Sequence, residues 1–223
     1  MQYMKKIGVI LAGCGHIDGS EITEAVLTLL AIDKLNAQAI IIAPNANQHH
    51  VIDHLSKKED AQARPRNILV ESARIARGKI EDLAKIDHNQ LDALVLPGGF
   101  GAAKNLCNFA FAGANAEVIP SVKNLLLKIH EAKKPIGGIC ISPAILSLVF
   151  GNKGVEVTVG DDPDTIATVE KMGAKHFIKK VTEVHVDKNL KIVTTPAYMH
   201  GNSRIHELAE GIEACVRAVI NLC

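Results

Sequence analysis

Short apolar runs alternate with segments of helical period from one end of this chain to the other, and that alternation restricts it to very few architectures. Ile7 to Ala12 (IGVILA) is a β-rich run bounded by glycines, as in a buried parallel strand. Glu21 to Leu35 follows as a helix, with Ile22, Val26, Leu29 and Leu30 at helical spacing and Ser20 as the expected N-cap. The pattern repeats. Strands are expected at Ala39 to Ala43, Asp92 to Leu96, Pro135 to Ile139 and Val155 to Val159. Helices are expected at Ile68 to Arg77, Val122 to Ala132, Pro143 to Phe150, Thr165 to Met172 and Ile205 to Asn221. Val184 to Val186 and Lys191 to Thr194 form a hairpin around Asp187-Lys188-Asn189. Such β-α alternation predicts an α/β fold, a doubly wound, mostly parallel sheet with helices on both faces and one small β-hairpin. Asn45 to Pro65, with adjacent histidines and mixed charge, reads as a mobile excursion.

The 223 residues suffice for a sizeable core, and no linker, repeat or low-complexity tract divides them, so residues 1–223 are expected to form a single domain. Lys and Arg total 25 against 24 Asp and Glu. That balance gives no electrostatic reason to expect nucleic acid or an anionic membrane as partner. With aromatics at 3% and no tryptophan, base-stacking platforms are also unexpected. Met1 to Lys6 leads directly into the first strand, so no signal peptide is expected, and no apolar run approaches the roughly 18–20 residues of a membrane span. The five cysteines have no metal-knuckle spacing and read as free thiols in a reducing, cytoplasmic setting. Small doubly wound domains often dimerise, and a homodimer is compatible with the sequence, although no stretch declares an interface.

Three segments carry candidate chemistry. In Gly137-Gly138-Ile139-Cys140-Ile141-Ser142-Pro143 an apolar strand ends at a cysteine and a helix begins two or three residues later. Nucleophile elbows are built this way, and a helix N-terminus favours a thiolate. The competing reading is an inert buried cysteine. In Leu96-Pro97-Gly98-Gly99-Phe100-Gly101 a strand runs into a glycine-rich loop. Its N–H groups, with that of Ile141, could form an oxyanion hole; a tight turn is the alternative. Both segments lie at the carboxyl ends of strands, where open α/β sheets bind ligands. The third segment is Gly13-Cys14-Gly15-His16-Ile17-Asp18-Gly19-Ser20-Glu21. Its glycines are spaced one residue too long for a dinucleotide fingerprint, and the second strand ends without an acidic residue, so no nucleotide cofactor is expected. Glu21 and Glu24 lie in the following helical turn. A buried carboxylic acid there would be protonated by desolvation and could serve the thiol as a proton carrier; exposed glutamates are the plainer reading. Among ten histidines, His16 and His176 are placed to approach the strand ends, while His49, His50, His54, His88 and His130 are expected to face solvent. No pattern supports a metal site.

In order and wording, the first strand, the glutamate helix, LPGGFGAAKNL and GGICISPAIL resemble the PfpI-like superfamily, flavodoxin-like relatives of class I glutamine amidotransferase domains. The likeness is nearest to a bacterial glyoxalase branch once linked by name to isoprenoid biosynthesis and runs from about Lys5 to the last helix. It implies a PfpI-type domain with Cys140 as elbow nucleophile, Glu24 as its hydrogen-bonding carboxyl, and Gly98 and Gly99 in the oxyanion loop. One departure stands out: Gly160 or Asp161 occupies the place where many relatives carry a catalytic histidine. Glu21, Cys14, His16 and Asp161 are therefore secondary candidates. The resemblance further implies cofactor-independent conversion of glyoxal, a small dicarbonyl, to glycolate. The alternatives are a deglycase acting on glyoxal adducts of proteins and a non-catalytic redox-sensing or chaperone-like protein.

Overall fold

The computed structural model describes residues 4–223. The expectation about Met1 to Lys6 falls partly outside that range. In chain order the larger elements are β1 (Lys6–Ile10), α1 (Ile22–Lys34), β2 (Gln38–Ala43), the short strands β3 (Ile52–Asp53) and β4 (Lys58–Glu59), α2 (Ile68–Ile75), β5 (Glu81–Asp82) and β6 (Ala93–Leu96). Then follow α3 (Phe100–Asn105), α4 (Phe109–Ala112), α5 (Pro120–Glu131), β7 (Ile136–Ile139), α6 (Pro143–Phe150), β8 (Glu156–Val157) and α7 (Pro163–Lys171). The last are β9 (Lys175–His176), β10 (His185–Asp187), β11 (Ile192–Thr195) and α8 (Ile205–Asn221).

The central sheet runs β10-β11-β7-β6-β1-β2-β5 and is parallel except for β10, which pairs antiparallel with β11 as the expected hairpin. Its five longest parallel strands stand in the spatial order second, first, third, fourth, fifth, which is the flavodoxin-like winding. Period-two alternation distributes the core. Ile10, Leu94, Leu96 and Ile136 pack on one face with α5 and α6 residues such as Leu126 and Phe150. Ile7, Val9, Val95 and Val193 pack on the other with Ile32 of α1 and Ile212 and Val216 of α8.

Helix α1 packs by a face that its apolar spacing does not mark, and three expectations need correction. Helix α1 buries Glu24, Ala25, Thr28, Ala31 and Ile32, whereas Ile22, Val26 and Leu30 are about half exposed. Small side chains let α1 lie close against α8 and the sheet, so the side that packs is not the most apolar one. The N-cap of α1 is Glu21, whose carboxylate accepts from the Glu24 N–H at 2.6 Å. Ser20 is occupied elsewhere, its hydroxyl accepting from Ala12 N–H at 2.8 Å. Val155 to Val159 does not join the main sheet: only Glu156 and Val157 are paired, with β9, in a separate two-stranded ribbon. The 45–65 stretch carries the β3–β4 hairpin, anchored where the Ile52 N–H donates to the buried Asp18 carboxylate at 2.8 Å.

Candidate active site

The strand ends converge on Cys140. Between β7 and α6 the chain must turn within three residues, and Cys140 takes a left-handed φ of +60° to do so. A side chain in that region costs about 1–3 kcal/mol and persists only where neighbours hold it. Here the Cys140 N–H donates to the Thr195 carbonyl at 3.0 Å, and the Ser142 hydroxyl donates to the Pro97 carbonyl at 2.8 Å. The elbow is thereby tied to the ends of β11 and β6. Pro143 begins α6, where a missing N–H costs nothing.

The glycine loop closes over the sulfur because nothing larger fits. A side-chain carbon at Gly98 would stand 2.6 Å from Glu24 Oε2 and 3.0 Å from Cys140 Sγ. Gly99 has a φ of +94°, a conformation open to glycine. Backbone bonds lock this loop to its neighbour: Glu21 N–H to the Gly98 carbonyl at 3.0 Å, Gly101 N–H to the Gly19 carbonyl at 2.8 Å, and Phe100 N–H to the His16 carbonyl at 2.8 Å.

Glu24 is fully buried and touches the thiol. Its Oε2 accepts from the Gly98 N–H at 3.0 Å and its Oε1 from the Tyr198 N–H at 3.2 Å. Burial, helped by the Glu21 carboxylate, pushes its pKa up to about 8, against these backbone donors and the thiol contact. Cys140, 7% exposed, is likewise pushed well up by burial and then by Glu24, while the N–H groups of Gly99 and Ile141 pull the other way. Near neutrality the pair therefore rests as carboxylic acid and thiol. The expectation of an activated resting thiolate at Cys140 is overturned, because desolvation outweighs the helix N-terminus and the two N–H donors at this depth. The Gly98 N–H is committed to Glu24, which leaves the N–H groups of Gly99 and Ile141 aimed at the sulfur.

Beside the pair opens a cavity of about 670 Å³. Glu21 and His16 line it, so these two secondary candidates share the site. Burial, with His54 nearby, holds the His16 imidazole below its ordinary range. The rings of His16 and His54 meet edge to face, centroids 5.2 Å apart. Cys14 and Asp161 do not line the cavity. Cys14 sits among Glu71, Arg74 and Asp18, and Asp161 is exposed beside His200, 3.4 Å away. His176 is also elsewhere, its Nε2 accepting from the Val159 N–H at 3.1 Å. Of the histidines expected to face solvent only His49 is exposed; His50, His54, His88 and His130 are half-buried. The next residue, Asp162, does reach the cavity with Thr165, as do Phe100, Phe109, Tyr198 and Met199, none singled out by sequence. The signal available for Tyr198 was its place just beyond the end of β11, beside the elbow strand. Among the described residues no group of three or more His, Cys, Asp or Glu could hold a metal ion, and no helix is long and apolar enough to cross a membrane.

No family model matches the chain. Full-length relatives do. It is 45% identical to the ES1 protein homolog, mitochondrial, of Rattus norvegicus, over 97% of this chain and 84% of that protein. It is 44% identical to the human glutamine amidotransferase-like class 1 domain-containing protein 3, mitochondrial, over 97% and 83%. Among solved structures, an isoprenoid biosynthesis protein with amidotransferase-like domain from Ehrlichia chaffeensis superimposes with a TM-score of 0.90 at 40% identity, covering 98% of this chain and 100% of that one. Glyoxalase III from Candida albicans shares the fold, with a TM-score of 0.62 at 16% identity and 97% of each chain covered. Matched over nearly its whole length to proteins of this kind, the chain belongs to the ES1 family of class 1 glutamine amidotransferase-like proteins.

Proposed function

We propose that the chain is a cofactor-independent glyoxalase that converts a 2-oxoaldehyde and water to a 2-hydroxy acid, glyoxal giving glycolate. The observation that carries this reading is the buried Glu24 carboxyl against the Cys140 thiol, with two N–H donors aimed at the sulfur. Loss of one proton from the pair leaves the Glu24 carboxylate against the Cys140 thiol, and the carboxylate takes the thiol proton as the sulfur reacts. The sulfur attacks the aldehyde carbon, forming the S–C bond, and the alkoxide is met by the N–H groups of Gly99 and Ile141. Glu24 passes its proton to that oxygen and becomes a carboxylate. The carboxylate removes the hydrogen of the same carbon and returns it to the neighbouring one, while the hydroxyl proton of the first carbon passes to the oxygen of the second, leaving a thioester of the hydroxy acid. Water, deprotonated by Glu24, attacks the thioester; the thiolate departs, the hydroxy acid is released, and its proton goes to solvent.

No histidine is required in this sequence, which fits the glycine at position 160. A redox-sensing role fits less well, since a deeply buried, raised thiol is a poor target for oxidants. The reading suits the cytoplasm or another compartment that keeps thiols reduced. The test is glycolate formation from glyoxal by the purified chain and by Cys140→Ser and Glu24→Gln. Wild-type turnover lost in both variants supports the mechanism; turnover surviving in Cys140→Ser refutes it.

A further inference from the structure

The cavity is far larger than glyoxal needs. A water molecule occupies about 30 Å³ of liquid. Glyoxal, with four heavy atoms, fills on the order of a fifth of about 670 Å³ on that scale. The remaining space is not neutral in character. Phe100, Phe109, Tyr198 and Met199 line it, beside Ile141 at the elbow. Phe100 follows directly on the oxyanion loop and stays 53% exposed, so a large aromatic face waits at the mouth without a protein partner over that half. Lys104 Nζ stands 5.2 Å from the ring centroid and is held by the Ile17 carbonyl at 3.0 Å and by His50 at 3.1 Å.

The polar groups are equally selective. Among the described residues no lysine or arginine lines the cavity, while Glu21 and Asp162 do. Asp162 accepts from the Thr165 N–H at 2.8 Å and its hydroxyl at 2.6 Å, and these bonds hold its carboxyl below the usual range, hence ionised. His16 is held toward its neutral form by burial. Asp162 is exposed and Glu21 half-buried, so their negative field at the cavity disfavours an anionic substituent that no lining cation offsets.

Resting on the glyoxalase reading, we propose that the site is built for 2-oxoaldehydes carrying an uncharged apolar or aryl substituent, and that it discriminates against both glyoxal itself and anionic 2-oxoaldehydes. The reacting carbonyls sit at Cys140 and the substituent lies along Phe100, Phe109 and Met199. Binding of the substituent is made equally in ground and transition states, so the preference appears chiefly in KM.

The experiment compares glyoxal, phenylglyoxal and 4-carboxyphenylglyoxal, read as glycolate, mandelate and 4-carboxymandelate, each corrected for Cys140→Ser. The expected kcat/KM for phenylglyoxal exceeds that for glyoxal at least tenfold, and the para-carboxylate lowers it at least tenfold. Asp162→Asn keeps a side chain that caps α7 and is expected to narrow the discrimination against the carboxylate at least threefold. Phe100→Ala is expected to shrink the phenylglyoxal-to-glyoxal ratio. Cys140-dependent turnover that favours glyoxal, or accepts all three alike, overturns the substrate class and leaves the glyoxalase reading standing. Absence of Cys140-dependent product from every substrate overturns both.

Discussion

Replacing Glu24 by Gln is expected to change how stability depends on pH. In the unfolded chain the carboxyl titrates near the ordinary glutamate value of about 4.3. In the folded protein burial raises it to about 8. Between those values the folded state keeps a proton that the unfolded state has released, so stability falls as pH rises. Integrated from pH 5 to pH 8, this one group removes about 3–4 kcal/mol of folding stability. Gln does not titrate and lacks that loss. It also offers one acceptor oxygen where Glu24 accepts from both Gly98 and Tyr198, so one N–H is left facing an amide, at a cost of about 1–3 kcal/mol at every pH. The variant is thus expected to be less stable than wild type at pH 5 and equal or more stable at pH 8. Urea unfolding of both proteins at unit pH intervals measures the difference, from which other titrating groups cancel. Parallel stability curves would falsify the assignment of a raised carboxyl pKa to Glu24.

On the proposed mechanism the same pair sets turnover: kcat/KM is expected to climb as pH rises through about 8, when the pair loses its first proton, and a profile flat or falling between pH 6.5 and 9 counts against the mechanism. Gly98→Ala places a carbon against Glu24 and Cys140, and is expected to cost about 1–3 kcal/mol in stability and to lower turnover at least a hundredfold, read by denaturation and glycolate assay. Leu94→Ala, in the fully buried centre of β6, should cost about 2–5 kcal/mol by urea unfolding while leaving the pH midpoint of turnover in place.

Much of this architecture was legible in order along the chain. The β-α alternation predicts the parallel sheet, and the ends of α8, Ile205 and Asn221, fall where the amphipathic pattern places them. GGICISP predicts the elbow, since a strand running into Pro143 leaves the backbone few ways to turn. What stayed hidden depends on chain segments far apart. The bond from Tyr198 to Glu24 spans 174 positions and needs Ala197 at a φ of +44°, which no local preference announces. The packing face of α1 stays hidden for a related reason. Apolar periodicity reports where Ile22, Val26 and Leu30 lie, but the surface that packs is chosen by how closely α8 and the sheet approach. The thiol's protonation state was misjudged because a helix end is visible in sequence and depth of burial is not.

The position of Glu24 has a mechanical meaning besides its acidity. Its two oxygens clasp the turn after β6 and the turn after β11, so one side chain at the start of α1 joins the rim of the pocket on both sides of the nucleophile. In the empty protein that clasp is a neutral acid holding two amides. On the proposed mechanism, once the acid has given its proton to the first covalent intermediate, the same two bonds become charge-assisted and roughly double in strength. On that mechanism the clasp is strongest in each state in which Glu24 is a carboxylate.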